Sequence, residues 1–229
     1  METNIQLLDR VGEIVVSYPS TAEVFKQFRI DFCCGGNKSL LEVIQHTNID
    51  QAMLLEQLRE AAEAPRRQAL NWNDLSSKQL IDYIVRVHHG YLKTVLPHVN
   101  GYVKKITYVH GPHHPELVQV SKLFETLRAD MEQHMEKEEA EDFPAVLAYE
   151  QEPSEAKRKP LLEFLNELER EHEGSGDLLK QIREITRDYK LPEDACTTFQ
   201  LTYAKLQELE ADMFQHIHLE NNILFKRAI

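Results

Sequence analysis

An all-α fold, an antiparallel four-helix bundle preceded by a small helical domain, is predicted from three observations. Breakers are scarce, with 8 glycines and 9 prolines among 229 residues. Apolar residues recur at alternating steps of three and four along four long C-terminal segments, the period of a helix with one buried face. The connections between those segments are short, which favours up-down neighbours.

The N-terminal part reads as short helical pieces. Leu7, Val11, Ile14 and Val15 suggest the first, and Val24, Phe25 and Phe28 the second, after Pro19-Ser20-Thr21. Leu40, Leu41, Val43 and Ile44 suggest a third. Asp50 reads as the N-cap of a fourth carrying Met53, Leu54 and Leu58. A Cys33-Cys34-Gly35-Gly36 turn separates the second from the third. Ala64-Pro65-Arg66-Arg67 breaks the pattern. The expected organisation is a small domain over 1–62, a linker over 63–74 and the bundle over 75–229.

Within the bundle, Ser76 and Gln79 form a capping-box signature at the start of the first long helix. Gly111 to Pro115, Pro153 to Lys159, and Leu191 to Asp194 mark the three connections.

Composition excludes several classes. A hydrophobic content of 42% supports a real core, and a net charge of −12 disfavours nucleic acid, whose phosphates need a basic surface. No apolar run approaches the roughly 18 residues needed to span a bilayer. The N-terminus METNIQLLDRVGEIVVSYP lacks the basic and apolar regions of a signal peptide. Three cysteines do not make an even disulfide framework. A cytoplasmic protein without a nucleic-acid or membrane partner is expected.

The stripes carry the chemistry. On the second long helix, Leu117, Val120, Phe124, Leu127 and Met131 lead to His134 and Glu138. On the fourth, Leu206, Leu209 and Met213 lead to His216 and Glu220. In H-x-x-x-E, residues four apart lie one turn along the helix and can reach one point. The third stripe holds His172 among Leu165, Leu168 and Leu179. The first carries His88-His89, and its rows admit either histidine.

Four inward histidines and two inward glutamates suit a pair of iron ions. Imidazole binds iron, carboxylates bridge two cations, and open positions remain for a small ligand. A buried carboxylate without such compensation is costly. A lone inward histidine is more often a hydrogen-bonded core residue; it is the combination with two glutamates that points to metal.

These motifs resemble those of the RIC (Repair of Iron Centers) family, the di-iron iron-sulfur cluster repair proteins of the YtfE/ScdA type, which are hemerythrin-like. The resemblance covers nearly the whole chain. It rests on Asp31-Phe32-Cys33-Cys34-Gly35-Gly36, on His134-Met135-Glu136-Lys137-Glu138-Glu139 with Phe143-Pro144, and on Glu171-His172-Glu173. Ala195-Cys196-Thr197-Thr198 and His216 through Phe225 complete it. Lys226 departs from the proline common after Leu-Phe in the family.

The resemblance implies the ligand set His89, His134, Glu138, His172, His216 and Glu220 around two non-haem irons, oxo- or hydroxo-bridged. The family spacing to Leu96-Pro97 favours His89 over His88. It implies repair of iron-sulfur clusters damaged by oxidative or nitrosative stress, through iron donation or nitric oxide handling, with reductase-type chemistry left open. The partners implied are damaged iron-sulfur proteins or a cluster-assembly scaffold. The competing reading is a hemerythrin-like protein that binds or senses oxygen or nitric oxide. Oxygen carriers use an additional histidine, and His88 is the one residue that could supply it.

The adjacent Cys33 and Cys34 admit three readings: a redox-sensitive or nitrosation-sensitive thiol pair, an iron delivery site, or a tight turn whose glycines matter. The glycines are expected to keep both thiols accessible. The resemblance favours a functional role, which makes them the candidate catalytic pair. Cys196 is expected to be structural and His110, His113 and His114 to be solvated; for Glu171 and Asp130 charged helix surface is the default, with a polar path to the iron as the alternative. His218 faces away from the stripe, and His46 and His98 have no partner visible in the sequence. The small N-terminal core makes docking or a homodimer plausible.

Overall fold

The computed structural model describes residues 5–45, 47–63 and 71–228, so His46 and the linker residues 64–70 lie outside the described residues. The fold is all-α. Among the described residues there is no strand, only an isolated bridge between Arg10 and Ser39. The chain divides into two compact units, residues 1–80 with 214–229, and residues 81–213.

The first unit holds α1 (Val11–Ser17), α2 (Thr21–Gln27), α3 (Leu40–Ile44) and α4 (Gln51–Glu63). Its helices are short, so caps matter. Ser39 and Glu42 close a reciprocal capping box on α3. Asp50 Oδ1 accepts from the amides of Ala52 and Met53 at 2.9 and 3.0 Å at the start of α4. Phe32 is fully buried, with ring centroids 6.3 Å from both Phe25 and Phe214. The C-terminal α11 (Phe225–Arg227) is tied in by Arg227, whose guanidinium donates to the carbonyls of Leu75 and Trp72 at 2.7 and 2.8 Å.

The second unit contains four helical rods. The first begins in α5 (Ser77–Tyr83), passes through a wide π-turn at Ile84–His89 and continues as α6 (Gly90–His110). The second is α7 (Glu116–Lys137), a π-turn at Glu138–Asp142, and α8 (Phe143–Gln151). The third is α9 (Glu155–Ile185), and α10 (Thr197–Leu219) forms the fourth. The division between the units falls inside α10, which runs on into a third π-turn at Glu220–Leu224. α6 packs on α7, and α7 on α9. Tyr91 to Glu208 and Arg183 to Glu210 tie α10 to α6 and α9. Leu92, Leu96, Phe124, Leu127, Leu168, Leu179 and Leu206 are all buried, as the stripes require.

No helix among the described residues is long and apolar enough to cross a membrane.

Candidate metal centre

In the second unit, three rods bring histidines to one carboxylate. His89, buried at the end of the first π-turn, has Nε2 3.4 Å from Oε2 of Glu138. His134 has Nε2 3.3 Å from the other oxygen, Oε1. His172 on α9 faces His134, Nε2 to Nε2, at 3.0 Å. The ligand atoms of His134, Glu138 and His172 all lie within 4.8 Å of one another, and all three residues are buried.

Wide turns carry two of these side chains, His89 and Glu138. A π-turn adds one residue to a helical turn, rotates the rest of the rod about its axis and often marks a functional site. Pro144 explains the one at Glu138–Asp142, since its ring cannot fit against the carbonyl of Ala140 in a regular helix. The turns at Ile84–His89 and Glu220–Leu224 contain no proline, and Lys226 does not prevent the latter.

The far sides of two rings are locked. Nδ1 of His134 donates to Glu171 Oε2 at 2.6 Å, and Nδ1 of His89 donates to Glu139 Oε1 at 2.7 Å. Each bond fixes the tautomer, so the Nε2 lone pair points inward, as a metal ligand needs. The hydrogen bond from His134 holds the Glu171 carboxyl below its usual range. Partial burial pushes Glu139 up, but Lys93 and His89 outweigh it and lower the carboxyl. Lys93 Nζ reaches both oxygens of Glu139 at 2.7 and 2.9 Å.

The donor set fits a metal. Two imidazole nitrogens bound at about 2.1 Å in neighbouring positions would sit about 3 Å apart, the separation found for His134 and His172. Asp142, on the same π-turn as Glu138, is buried, and neither oxygen meets a hydrogen-bond donor among the described residues. Burial raises its carboxyl to about 6.

His88 takes another direction. Its Nδ1 lies 3.0 Å from Asp212 Oδ1 on α10, and its ring packs edge-on to Tyr83.

In the first unit, the buried pair His216 and Glu220 approach at 2.9 Å, Nε2 to Oε1. The same unit holds the cysteine turn. Asn222, on the third π-turn, donates through Nδ2 to the carbonyls of Phe32 and Cys33 at 3.2 and 3.1 Å. Gly12 and Gly36 leave room for its amide, because a Cβ on either would come within 2.5 Å of Asn222 Oδ1. His218 is buried against the Phe32 ring, and burial lowers its pKa to about 4, so it is neutral.

Asp31 organises the thiols. Its Oδ1 accepts from the amides of Cys33, Cys34 and Gly35 at 3.0 to 3.1 Å and from the Cys33 thiol at 3.2 Å. The sulfurs are 3.6 Å apart. The expectation that both thiols are accessible is corrected: Cys33 is buried and Cys34 only half-buried. Burial first, then the Cys34 thiol and the Asp31 charge, push Cys33 well above the usual thiol pKa. Asp31, Cys33 and Cys34 still present ligand atoms within 4.8 Å of one another.

Residues 7–62 match the ScdA_N model, a domain of unknown function, and residues 80–228 match the hemerythrin HHE cation binding domain. The iron-sulfur cluster repair protein ScdA of Staphylococcus epidermidis is 38% identical over 96% of this chain and 97% of its own length. The chain belongs to the ScdA and YtfE family of iron-sulfur cluster repair proteins. ScdA of Staphylococcus haemolyticus is 34% identical over 95% of this chain and 96% of its own. YtfE of Edwardsiella ictaluri is 33% identical over 96% of each. Within this family, the chain has a cation-binding domain whose buried histidines and glutamates suit iron.

Three expectations about polar residues are revised by the fold. Glu171 is not plain charged surface but holds His134, and its neighbour Lys137 lies 3.5 Å away. His114 is not simply solvated, since Glu116 and Asp194 flank its two nitrogens at 3.1 and 3.0 Å. Cys196 is exposed and hydrogen-bonded to His110 rather than packed as a structural residue. Glu139 stands out in the sequence only as part of a motif and Asp212 not at all, yet each bonds a histidine. Glu139 adjoins Glu138 and Asp212 stands one turn before His216, but their partners His89 and His88 come from another helix.

Proposed function

We propose that this protein repairs iron-sulfur clusters damaged by oxidative or nitrosative stress, using two non-haem irons held by His89, His134, Glu138, His172, His216 and Glu220. The observation that carries the reading is the 3.0 Å approach of the His134 and His172 Nε2 atoms, with His134 locked from behind by Glu171. Support comes from the full-length likeness to proteins named for cluster repair and from one cation-binding family model that spans all six residues. When bound, the iron pair supplies redox chemistry and open positions for a diatomic ligand or for transfer of iron.

The chain's own residues do the rest. Glu139 and Glu171 orient two imidazoles, and the buried surroundings of Glu138 exclude bulk water. Asp31, Cys33 and Cys34 form the thiol element of the same exchange, a second place where iron can be held in passing. Cys34 is the more exposed thiol, and Asp31 keeps the turn in shape. The partners are damaged iron-sulfur proteins or a cluster-assembly scaffold, in the cytoplasm.

The test is metal analysis with Mössbauer spectroscopy, together with reactivation of a nitrosated iron-sulfur enzyme. The expected result is two coupled irons per chain and recovered activity, both lost in Glu138→Ala with Glu220→Ala. Retention of two irons in that variant defeats the ligand assignment. A loaded protein that restores no activity defeats the repair reading.

A further inference from the structure

Away from the histidine and glutamate sets, one nucleophile sits exposed beside a base. Cys196 immediately precedes α10, a helix of 23 residues, and its sulfur lies 3.2 Å from Nε2 of His110 at the end of α6. The His110 ring is held edge-on against the buried Phe199, with centroids 5.2 Å apart. A cysteine beside an imidazole at a helix N-terminus gains on both counts, because each favours the thiolate. Glu193 and Asp194 oppose this, but Asp194 is engaged by His114 Nε2 at 3.0 and 3.2 Å. The His110 hydrogen bond, then the Phe199 amide, lower the thiol pKa from its ordinary value.

A second feature lies beyond His114, whose ring centroid is 6.3 Å from that of His110. A cleft of about 380 Å³ opens there, lined among others by His114, Glu116, Thr186, Arg187, Lys190 and Tyr203, with the Glu116 carboxylate engaged by His114 Nδ1 at 3.1 Å. Arg187, Asp188 and Tyr189 all take left-handed backbone, with φ of 49°, 66° and 56°. Three such residues in a row are costly without glycine. Thr186 Oγ1 accepts the Tyr189 amide at 3.2 Å and helps to hold the bend. The bend sets Arg187 and Lys190 along the cleft, and neither has a carboxylate partner among the described residues.

We propose that Cys196, with His110 as its base, is a thiol-exchange site for small anionic disulfides, whose carboxylates Arg187 and Lys190 receive at the neighbouring cleft. The thiolate attacks one sulfur of the disulfide. A bond forms between Cys196 Sγ and that sulfur, the original S–S bond breaks, and the second sulfur leaves with the electron pair. His110 takes the Cys196 proton and returns it to the departing thiolate. The incoming disulfide is the oxidant, so no other is required. The product is a mixed disulfide on Cys196.

Adduct mapping on the reduced full chain tests this, with oxidised glutathione as the anionic probe, cystamine as a cationic disulfide and iodoacetamide as a neutral reagent. Cys196 is expected to take the glutathione adduct faster than the cystamine one. Arg187→Gln with Lys190→Gln should remove that preference and leave iodoacetamide alkylation unchanged. His110→Gln should slow all three reactions at pH 7 on the order of fivefold, as thiolate is lost. Equal rates for the two disulfides in the native chain, or adducts confined to Cys34, overturn the proposal. Should His110→Gln disturb folding, the alkylation pH profile of native Cys196 decides alone. A midpoint at or above about 8.5, the free-cysteine value, overturns it.

Discussion

Glu171 accepts the Nδ1 proton of His134 at 2.6 Å, and the next residue along α9, His172, meets the other side of the same ring at 3.0 Å. One short stretch of helix thus supplies both a candidate ligand and the group that orients its neighbour. Carboxylates behind metal-bound histidines commonly contribute about 10- to 100-fold in metal affinity. Glu171→Gln is therefore expected to weaken iron binding in that range, measured by chelator competition, with helical content unchanged by circular dichroism. Unaltered affinity would show that the bond only pins a side chain.

The wedge of Asn222 between Gly12 and Gly36 yields a stability prediction. A Cβ at Gly36 would stand 2.5 Å from Asn222 Oδ1 and 2.9 Å from the Phe32 carbonyl. The second neighbour is backbone and cannot swing away. Gly36→Ala should cost about 1 to 3 kcal/mol by overpacking, read from chemical denaturation. It should also make Cys33 more reactive to a thiol reagent, because the turn is displaced. A variant as stable as the parent, with Cys33 still protected, would contradict this packing.

What the chain reveals before folding depends on the range of the interaction. His134, Glu138 and His172 were legible because each ends or interrupts an apolar stripe, and burial of a stripe is a periodic signal. The π-turns were not, because one extra residue in a turn leaves the apolar pattern nearly intact. Glu139 and Glu171 look like ordinary solvated charges, since each is next to a stripe position and its partner comes from another helix. The burial of Cys33 depends on a fold whose Asn222 contact spans 189 residues of chain, and two glycines after the cysteines suggested the opposite.

At the other end of α9, Arg183 and Glu210 form an ion pair with little exposure, and the Tyr189 hydroxyl donates to the second Glu210 oxygen at 3.2 Å. Glu210 sits on α10, so this cluster joins two rods near the left-handed bend. Removing one partner leaves a buried charge behind. Arg183→Met is expected to destabilise by about 3 to 5 kcal/mol, whereas Tyr189→Phe should cost about 1 kcal/mol. Unfolding by denaturant measures both. If Arg183→Met together with Glu210→Leu recovers most of the loss, the penalty belongs to the orphaned carboxylate.

Asp142 gives a pH dependence with a definite sign. Burial raises its carboxyl from 3.8 to about 6, Glu138 and Glu171 push the same way, and Lys137 and His134 oppose. Below the ordinary value the group is neutral in folded and unfolded chains alike, so it costs nothing. As pH rises from there, the unfolded chain releases this proton more readily than the folded one. Stability attributable to the protonated group is then lost through about pH 6, with the full deficit above it. In the metal-free chain, Asp142→Asn should match the parent at about pH 3 and exceed it by about 1 kcal/mol at pH 7.5, after allowance for solvent screening. Denaturant unfolding at the two pH values is the measurement. A gain equal at both would trace to packing of the amide, and a loss at pH 7.5 would mean that the ionised carboxylate has a cationic partner in the folded chain.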